Sequence, residues 1–177
     1  MKIRKLKPSE ILTTRDFPVY NPHILKIYFK ICKHGSQEIL PPTPVIPLSV
    51  GLPLLKGKDK KSKEYNLKLK SWLKQNKKIK YLMCDGSHKT TALNLMHKPI
   101  HAMILKTDKD MQDFHNLVET GEIFSINTGK TIKKVLEEKA RHFKDAKFFE
   151  SVEDKTKRMV EKKVIPEYMI KKFGGKK

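Results

Sequence analysis

The sequence predicts an α/β (α+β) fold, in which a small mixed sheet is followed by a helical C-terminal extension. Two observations carry this prediction. Between residues 79 and 105 two apolar runs of strand length flank a turn and a helical pattern, and after residue 107 the pattern is mainly helical. We therefore expect a first domain over residues 1–106, with a lysine-rich insertion at 56–80, and a helical extension over residues 107–177.

The first part of the chain predicts a strand and a helix. Residues 1–6 alternate loosely between apolar and polar side chains, which favours a strand. Asn21, directly before a proline, is typical of a helix start. The helix that follows is expected to end at Gly35. Its predicted apolar face consists of Ile24, Ile27, Tyr28 and Ile31.

A proline-rich segment and a lysine-rich segment come next. The prolines between residues 41 and 53 exclude a helix and favour a strand only at a sheet edge or margin, so we expect a short strand at residues 45–50. Residues 56–80 contain eleven lysines against two acidic residues. We expect an exposed loop in the first part of this segment. A short helix should follow, held to the body by Leu67, Trp72 and Leu73.

The best-organised passage is a strand, a turn, a helix and a strand. Residues 79–84 have the length and apolar character of a buried strand. A helix is predicted over residues 88–98, with Pro99 as its stop, and a further strand over residues 100–105. The helix should direct three apolar side chains inward, namely Ala92, Leu95 and Met96.

Four helices are predicted in the extension. Thr107 or Asp108 is expected to cap the first, which should end near Gly121. Thr131 is expected to begin the second. The last two are expected over residues 152–163 and 167–173.

Charge is the strongest global feature. Lys and Arg number 39 against 19 Asp and Glu, a formal net charge of +20. This excess indicates nucleic acid, an anionic surface or a phosphorylated ligand as partner; the alternative is a lysine-rich solvated surface. Only four of the 39 are arginines. Because arginine is the preferred reader of base edges, its scarcity favours contacts to phosphate over sequence-specific recognition.

Several classes of protein are not expected. No apolar run reaches the length of a transmembrane helix, and the first ten residues lack the apolar core of a signal peptide. The two cysteines, Cys32 and Cys84, are too few for a four-cysteine zinc site or a disulfide framework. We therefore expect a cytoplasmic protein with no membrane partner.

The chemistry is expected at the DGSHK turn, residues 85–89, and the two residues after it. A helix that begins there has free backbone N–H groups, and together with the helix dipole these form an anion site. Around it the sequence places a glycine for the turn, three hydroxyls, an imidazole and an ammonium group. The expected phosphate- or nucleotide-binding residues are Gly86, Ser87, His88, Lys89, Thr90 and Thr91. Asp85 is placed to hold a metal ion or to orient the histidine. This set suits a nucleoside triphosphate or diphosphate with Mg²⁺. The alternative is a simple turn with a capping serine.

The DGSHK turn followed by TTALNL resembles the phosphate-binding motif of the ParB/sulfiredoxin superfamily. The Leu-x-Pro at residues 6–8, the helix ending at Gly35 and the Pro-Val-Ile at residues 44–46 fit the same pattern over residues 1–106. The resemblance implies a small mixed sheet with a phosphate-binding site at the turn. That site should face Glu10 and the proline-rich bend around Glu38.

The branches of this superfamily imply different functions. Sulfiredoxins carry a catalytic cysteine where this chain has Ser87, so reduction of sulfinic acid is not expected. ParB-like proteins imply a nucleic-acid-associated protein that binds a nucleotide or phosphodiester, as an NTPase or a nuclease. Free serine kinases imply an ATP- or ADP-dependent small-molecule kinase. Asp85 and His88 would act in catalysis, and Glu10 would be the general base of the kinase alternative.

The lysine-rich insertion is the expected nucleic-acid interface. Aromatic side chains among lysines stack on bases, and the lysines contact phosphates. For Trp72 the alternative is an anchor between the insertion and the core. The expected contact residues are Lys58, Lys60, Lys61, Lys63, Trp72, Lys77 and Lys78.

Overall fold

A five-stranded mixed sheet lies between two layers of helices in the computed structural model, which confirms the predicted fold class. The structure describes residues 1–13, 21–35, 39–125, 129–146 and 148–175. Its strands are β1 (Lys2–Leu6), β2 (Ile11–Leu12), β3 (Thr43–Pro47), β4 (Tyr81–Met83) and β5 (Ile100–Ile104). Its helices are α1 (Pro22–His34), α2 (Lys60–Gln75), α3 (Ser87–Leu95), α4 (Asp108–Glu119), α5 (Ile132–Phe143), α6 (Val152–Glu161) and α7 (Glu167–Gly174).

The strands run in the order β1-β5-β3-β4-β2. β1 is antiparallel to β5, and β3 is antiparallel to β4. β3 is parallel to β5, and β2 is parallel to β4. The β4–α3–β5 passage therefore spans the middle of the sheet, with β3 between its two strands, and the DGSHK turn follows the end of β4.

Alternation along the strands directs side chains to the two helical layers. Val45 and Met83 belong to the core shared with α1, α3, α6 and α7. Their neighbours Ile46 and Leu82 lie on the opposite face, where α2, α4 and α5 pack. All three hydrophobic clusters contain residues from both sides of residue 106, so the C-terminal helices complete the core on each face of the sheet.

β3 corrects the expectation that prolines confine a strand to the sheet edge. It begins two residues earlier than predicted, ends at Pro47, and is the central strand. Pro44 fits there because it uses its carbonyl, which accepts the N–H of Cys84 at 2.9 Å. The next carbonyl, of Val45, accepts the N–H of Leu105, also at 2.9 Å. A missing N–H at position 44 thus leaves these bonds between strands intact.

Two helices differ from their predictions. α1 buries Leu25, Phe29 and Cys32, whereas Ile24 and Ile27 on the predicted apolar face are exposed. α2 begins at Lys60, where a loop was expected, and its buried residues include Tyr65 and Leu69. The anchor role predicted for Leu67 is wrong, because this side chain is 69% exposed. Both helices have more apolar residues than one face can hold, so tertiary packing decides which of these side chains are buried.

The remaining helices follow the predicted pattern closely. Thr107 caps α4, Thr131 caps α5 and Ser151 caps α6, each by accepting a backbone N–H of the first turn. Within the described ranges, no helix combines the length and apolar character needed to cross a membrane.

Candidate functional site

The DGSHK turn adopts a backbone that requires glycine at its second position. Gly86 has a φ of 100°, in the left-handed region, and is the N-cap of α3. A side chain would place its Cβ 3.4 Å from Cγ2 of Thr43 as well as straining the backbone. Glycine therefore lets β4 turn directly into α3, with Thr43 packed against the turn.

Two helix N termini meet at this turn. The backbone N–H of Asn21, which caps α1, donates to Nε2 of His88 at 3.1 Å. In α3 the N–H of Thr90 is bonded to the Gly86 carbonyl at 2.9 Å, whereas the amides before it have no acceptor within the helix. The positive ends of both helix dipoles therefore act on the same region, and they favour an anion there.

Hydrogen bonds hold the Asp85 carboxylate in place. Its Oδ1 accepts the N–H of Gly86 at 2.6 Å, and its Oδ2 accepts the hydroxyl of Ser125 at 2.7 Å. The Asp85 charge adds to burial in raising the pKa of Tyr28, so α1 also lies within its field. A carboxylate is the kind of ligand that suits contact with a Mg²⁺ ion carried by nucleotide phosphates. Among the described residues, no group of three or more His, Cys, Asp and Glu gathers into a metal site.

The side chain of Lys89 reaches the proline-rich bend. Its side chain is buried, and its Nζ donates to the carbonyls of Pro41 at 2.5 Å and Pro42 at 3.3 Å. Burial lowers the pKa of Lys89 to about 8, against the opposing effect of Asp85. Lys89, which was predicted to contact phosphate directly, instead joins α3 to the proline-rich bend by hydrogen bonds.

Thr90 and Thr91 do not add hydroxyls to the surface of the site, which corrects that expectation. Both are buried. The Thr90 hydroxyl contacts the carbonyls of Gly86 at 3.0 Å and Ser87 at 3.1 Å, and the Thr91 hydroxyl donates to the Ser87 carbonyl at 2.8 Å. Bonding back to the preceding turn is a common alternative for threonine inside a helix.

Lys155 is a site residue that the sequence interpretation missed. It comes from α6, is 3% exposed, and its Nζ donates to the hydroxyl of Ser87. One signal was present in the sequence. Lys155 falls on the inward stripe of α6, between Val152 and Met159, where a lysine is unusual. The half-buried Ser87 hydroxyl at the start of α3 therefore lies against a buried ammonium group.

Thr43 contributes a buried polar atom next to the turn. Its Oγ1 has no hydrogen-bond partner among the described residues, although the side chain is fully buried. Such an atom costs about 1–3 kcal/mol if it stays unsatisfied. It lies 3.5 Å from the position of a Cβ on Gly86, and Thr43 also borders a cavity of about 10 Å³ beside Lys89 and His101. A ligand oxygen at the turn would give this hydroxyl a partner.

Glu10 is tied to its own turn. Its carboxylate accepts the N–H of Lys7 at 2.9 Å and lies 4.0 Å from Nζ of Lys80. These contacts do not join it to the DGSHK turn. Glu38, expected on the proline-rich bend, lies outside the described residues.

The lysines of the predicted nucleic-acid interface are exposed. This holds for Lys58, Lys60, Lys61, Lys63, Lys77 and Lys78. Trp72 is half-buried instead, and its ring centroid lies 5.9 Å from that of Phe149. The structure thus favours the anchor role for Trp72, since its ring packs in the core that joins α2 to α5.

Comparison of the chain with protein-family models, curated proteins and solved structures found no match. The chemistry of the site therefore rests on its geometry. Two helix N termini and the buried side chains of Lys89 and Lys155 lie at or beside the turn that carries the Asp85 carboxylate. Among the described residues, these groups favour an anion in a partly buried place, where charges interact more strongly than in water.

Proposed function

We propose that this protein is nucleic-acid-associated and binds a phosphate group, of a nucleotide or of a phosphodiester, at the DGSHK turn. The observation that carries the proposal is the contact of buried Lys155 with Ser87 at the first residue of α3. It adds a fixed cation to the backbone amides of the first turn of α3, and the two together are the usual means of holding phosphate. The buried Thr43 hydroxyl supports a ligand there independently.

The nucleic-acid part of the proposal is supported by α2. Four exposed lysines on it, Lys60, Lys63, Lys70 and Lys74, are spaced so that they share one face; we call them the lysine stripe. At 1.5 Å per residue the stripe is about 21 Å long. The opposite face of α2 carries buried Tyr65 and Leu69, so the helix is fixed to the body and displays its charge outward.

The resemblance to the ParB/sulfiredoxin superfamily fits the same proposal. Of the activities found in that superfamily, we favour an NTPase or nuclease activity with a Mg²⁺-bound nucleotide. Asp85 would meet the metal ion that the phosphates carry, and His88 would orient the turn through its bond to Asn21.

A cytoplasmic location is part of the proposal, and both cysteines are free and buried, as that compartment allows. The small-molecule kinase with Glu10 as base stays a prediction, because the contacts of Glu10 are with Lys7 and Lys80.

Two measurements test the two parts separately. Phosphorus NMR of nucleotides with magnesium should show line broadening or shifts on adding the protein, and hydrolysis would appear as orthophosphate. Binding of duplex DNA, measured against salt, should weaken with a slope of about −3.6 in log K against log salt if the lysine stripe makes four phosphate contacts.

A matched control distinguishes the effect of the lysine stripe from that of the overall positive charge. Replacing all four stripe lysines with glutamine should remove most of that slope. The same replacement at four exposed lysines elsewhere, Lys30, Lys133, Lys162 and Lys172, should leave most of it. Equal losses in both variants, or no DNA affinity in the unaltered protein, would contradict the interface. Unchanged phosphorus spectra would contradict the nucleotide site.

A further inference from the structure

We propose that Ser87 is a phosphoryl acceptor, so that a nucleoside triphosphate bound at the DGSHK turn transfers its terminal phosphoryl group to this hydroxyl. The inference rests on the proposed function, because it needs the nucleotide to bind there. It begins from the position of Ser87, the first residue of α3, which follows directly on left-handed Gly86. The side chain is half-buried, and Lys155 donates to its Oγ.

This position brings a nucleophile and a phosphate site into one turn. The backbone amides at the start of α3 would hold phosphate oxygens within a few ångströms of the Ser87 side chain, since both belong to the same helical turn. A reacting hydroxyl held close to the phosphorus needs little further ordering. A Cβ at Gly86 would lie 3.4 Å from Thr43 Cγ2 and 3.5 Å from Lys89 Cε, so Thr43 and the Lys89 stem line that side of the turn.

Lys155 gives the proposed product its stability. A phosphoserine at position 87 would place a doubly charged group at the N terminus of α3 and against a buried ammonium group. The pair needs Lys155 in its charged form, which the negative charge of the phosphate group would itself favour. The otherwise unpartnered Thr43 hydroxyl lies beside the same turn and can donate to a phosphate oxygen.

The proposed step balances without a further reactant. A bond forms between Ser87 Oγ and the terminal phosphorus, and the bond from that phosphorus to the bridging oxygen breaks. The nucleoside diphosphate leaves with the electron pair of the broken bond. The hydroxyl proton passes to solvent at the partly exposed Ser87. Phosphoryl transfer depends mainly on position and on charge stabilisation, which Lys155 and the amides provide.

The test uses the whole protein incubated with magnesium and each of ATP, GTP, CTP and UTP. Intact mass and peptide sequencing should find one phosphoryl group, located on Ser87, with at least one of the four nucleotides. Ser87→Ala should abolish it, and Ser71→Ala, at an exposed serine of α2, should not. Lys155→Met should slow the modification about tenfold or more, and Lys155→Arg should restore much of the rate because the cation is kept.

Binding is measured in the same samples, by equilibrium dialysis of a non-hydrolysable analogue of each nucleotide, and folding of each variant by circular dichroism. Binding without phosphoserine would overturn the phosphoryl-acceptor inference and leave the proposed function standing. Phosphorylation at another residue, or modification that persists in Ser87→Ala, would also overturn it. Absence of binding by all four nucleotides would overturn this inference together with the nucleotide part of the proposed function.

Discussion

The DGSHK turn and the lysine stripe use the same residue type in opposite ways. At the turn, Lys89 and Lys155 are buried, and each donates to a defined acceptor. On α2 the stripe lysines are exposed, and the one ion pair found there, Lys60 with Glu64, has its charged groups 4.0 Å apart in solvent. Exposed ion pairs of this kind contribute little to stability.

The difference shows why net charge alone does not locate a site. An exposed ammonium group stays hydrated and acts on a polyanion only as one of many. A buried ammonium group loses its hydration, so its position is fixed by acceptors and its charge acts strongly over a short range. We therefore expect changes at the turn to have large, individual effects, and changes on the stripe to have small effects that add.

The largest expected effect is the pH dependence that Lys89 gives to stability. Its pKa is about 8 in the folded protein and about 10.4 when unfolded, so between these values the unfolded state binds more protons. The free energy of unfolding should therefore rise with pH from 8 to 10.4, by about 3 kcal/mol from this group. The free energies of unfolding of the wild type and of Lys89→Met should be measured in urea across this pH range. The difference between the two curves gives the contribution of Lys89.

The matched control for that prediction is Lys70→Met on the stripe, whose difference curve against the wild type should be flat. A flat curve for Lys89→Met as well would contradict a buried, destabilised ammonium group at position 89.

The second effect is on phosphate binding. Lys155→Met removes a charge-assisted hydrogen bond from the turn, which is worth about 1.5–3 kcal/mol. We expect the affinity for a magnesium–nucleotide complex to fall about ten- to hundredfold by calorimetry. The exposed counterpart Lys70→Met should leave that affinity within a factor of about two. Equal losses in the two variants would mean that the turn attracts nucleotide only through overall charge.

A third and smaller effect concerns the backbone of the turn. Gly86→Ala forces an alanine to a φ of 100°, and this backbone strain should lower the unfolding free energy by about 1–2 kcal/mol. The added Cβ itself would make only an ordinary contact with Thr43 Cγ2, at 3.4 Å. Gly174→Ala, inside α7 with no atom within 4 Å of its added Cβ, should instead be neutral or gain up to about 1 kcal/mol. Thermal unfolding of both variants measures these changes. Equal changes in stability for the two variants would contradict the left-handed conformation at Gly86.

The smallest effect belongs to a single lysine of the stripe. Lys70→Gln should change stability by less than about 0.5 kcal/mol, because the side chain is exposed. In duplex DNA binding it should reduce the steepness of the salt dependence by about 0.9. An altered unfolding midpoint, or an unaltered salt slope, would count against the additive role of the stripe.

Local patterns predicted most of the secondary structure. Caps such as Asn21 and Thr107, and short apolar runs such as residues 79–84, depend on neighbours in sequence and are readable there. The apolar face of α1 and the place of β3 depend on tertiary packing. Pro44 is compatible with a central strand only because its carbonyl, and not an N–H, bonds to β4.

The site was predictable in location but not in its contacts. The DGSHK turn stands out because a glycine between a strand and a helix marks an anion-binding terminus. The sequence pattern does not say which way Lys89 points, or that Thr90 and Thr91 bond back to the helix. Lys155 is 68 residues from its partner Ser87, and only the packing of α6 on α3 brings the two together.

The most direct test of the phosphate site is a titration followed by backbone amide NMR, first with inorganic phosphate and then with ATP and magnesium. We predict saturable shifts at Gly86, Ser87 and His88, which weaken strongly in Lys155→Met and persist in Lys70→Met. Shifts confined to the lysine-bearing surface of α2, with no saturation at the turn, would contradict this prediction.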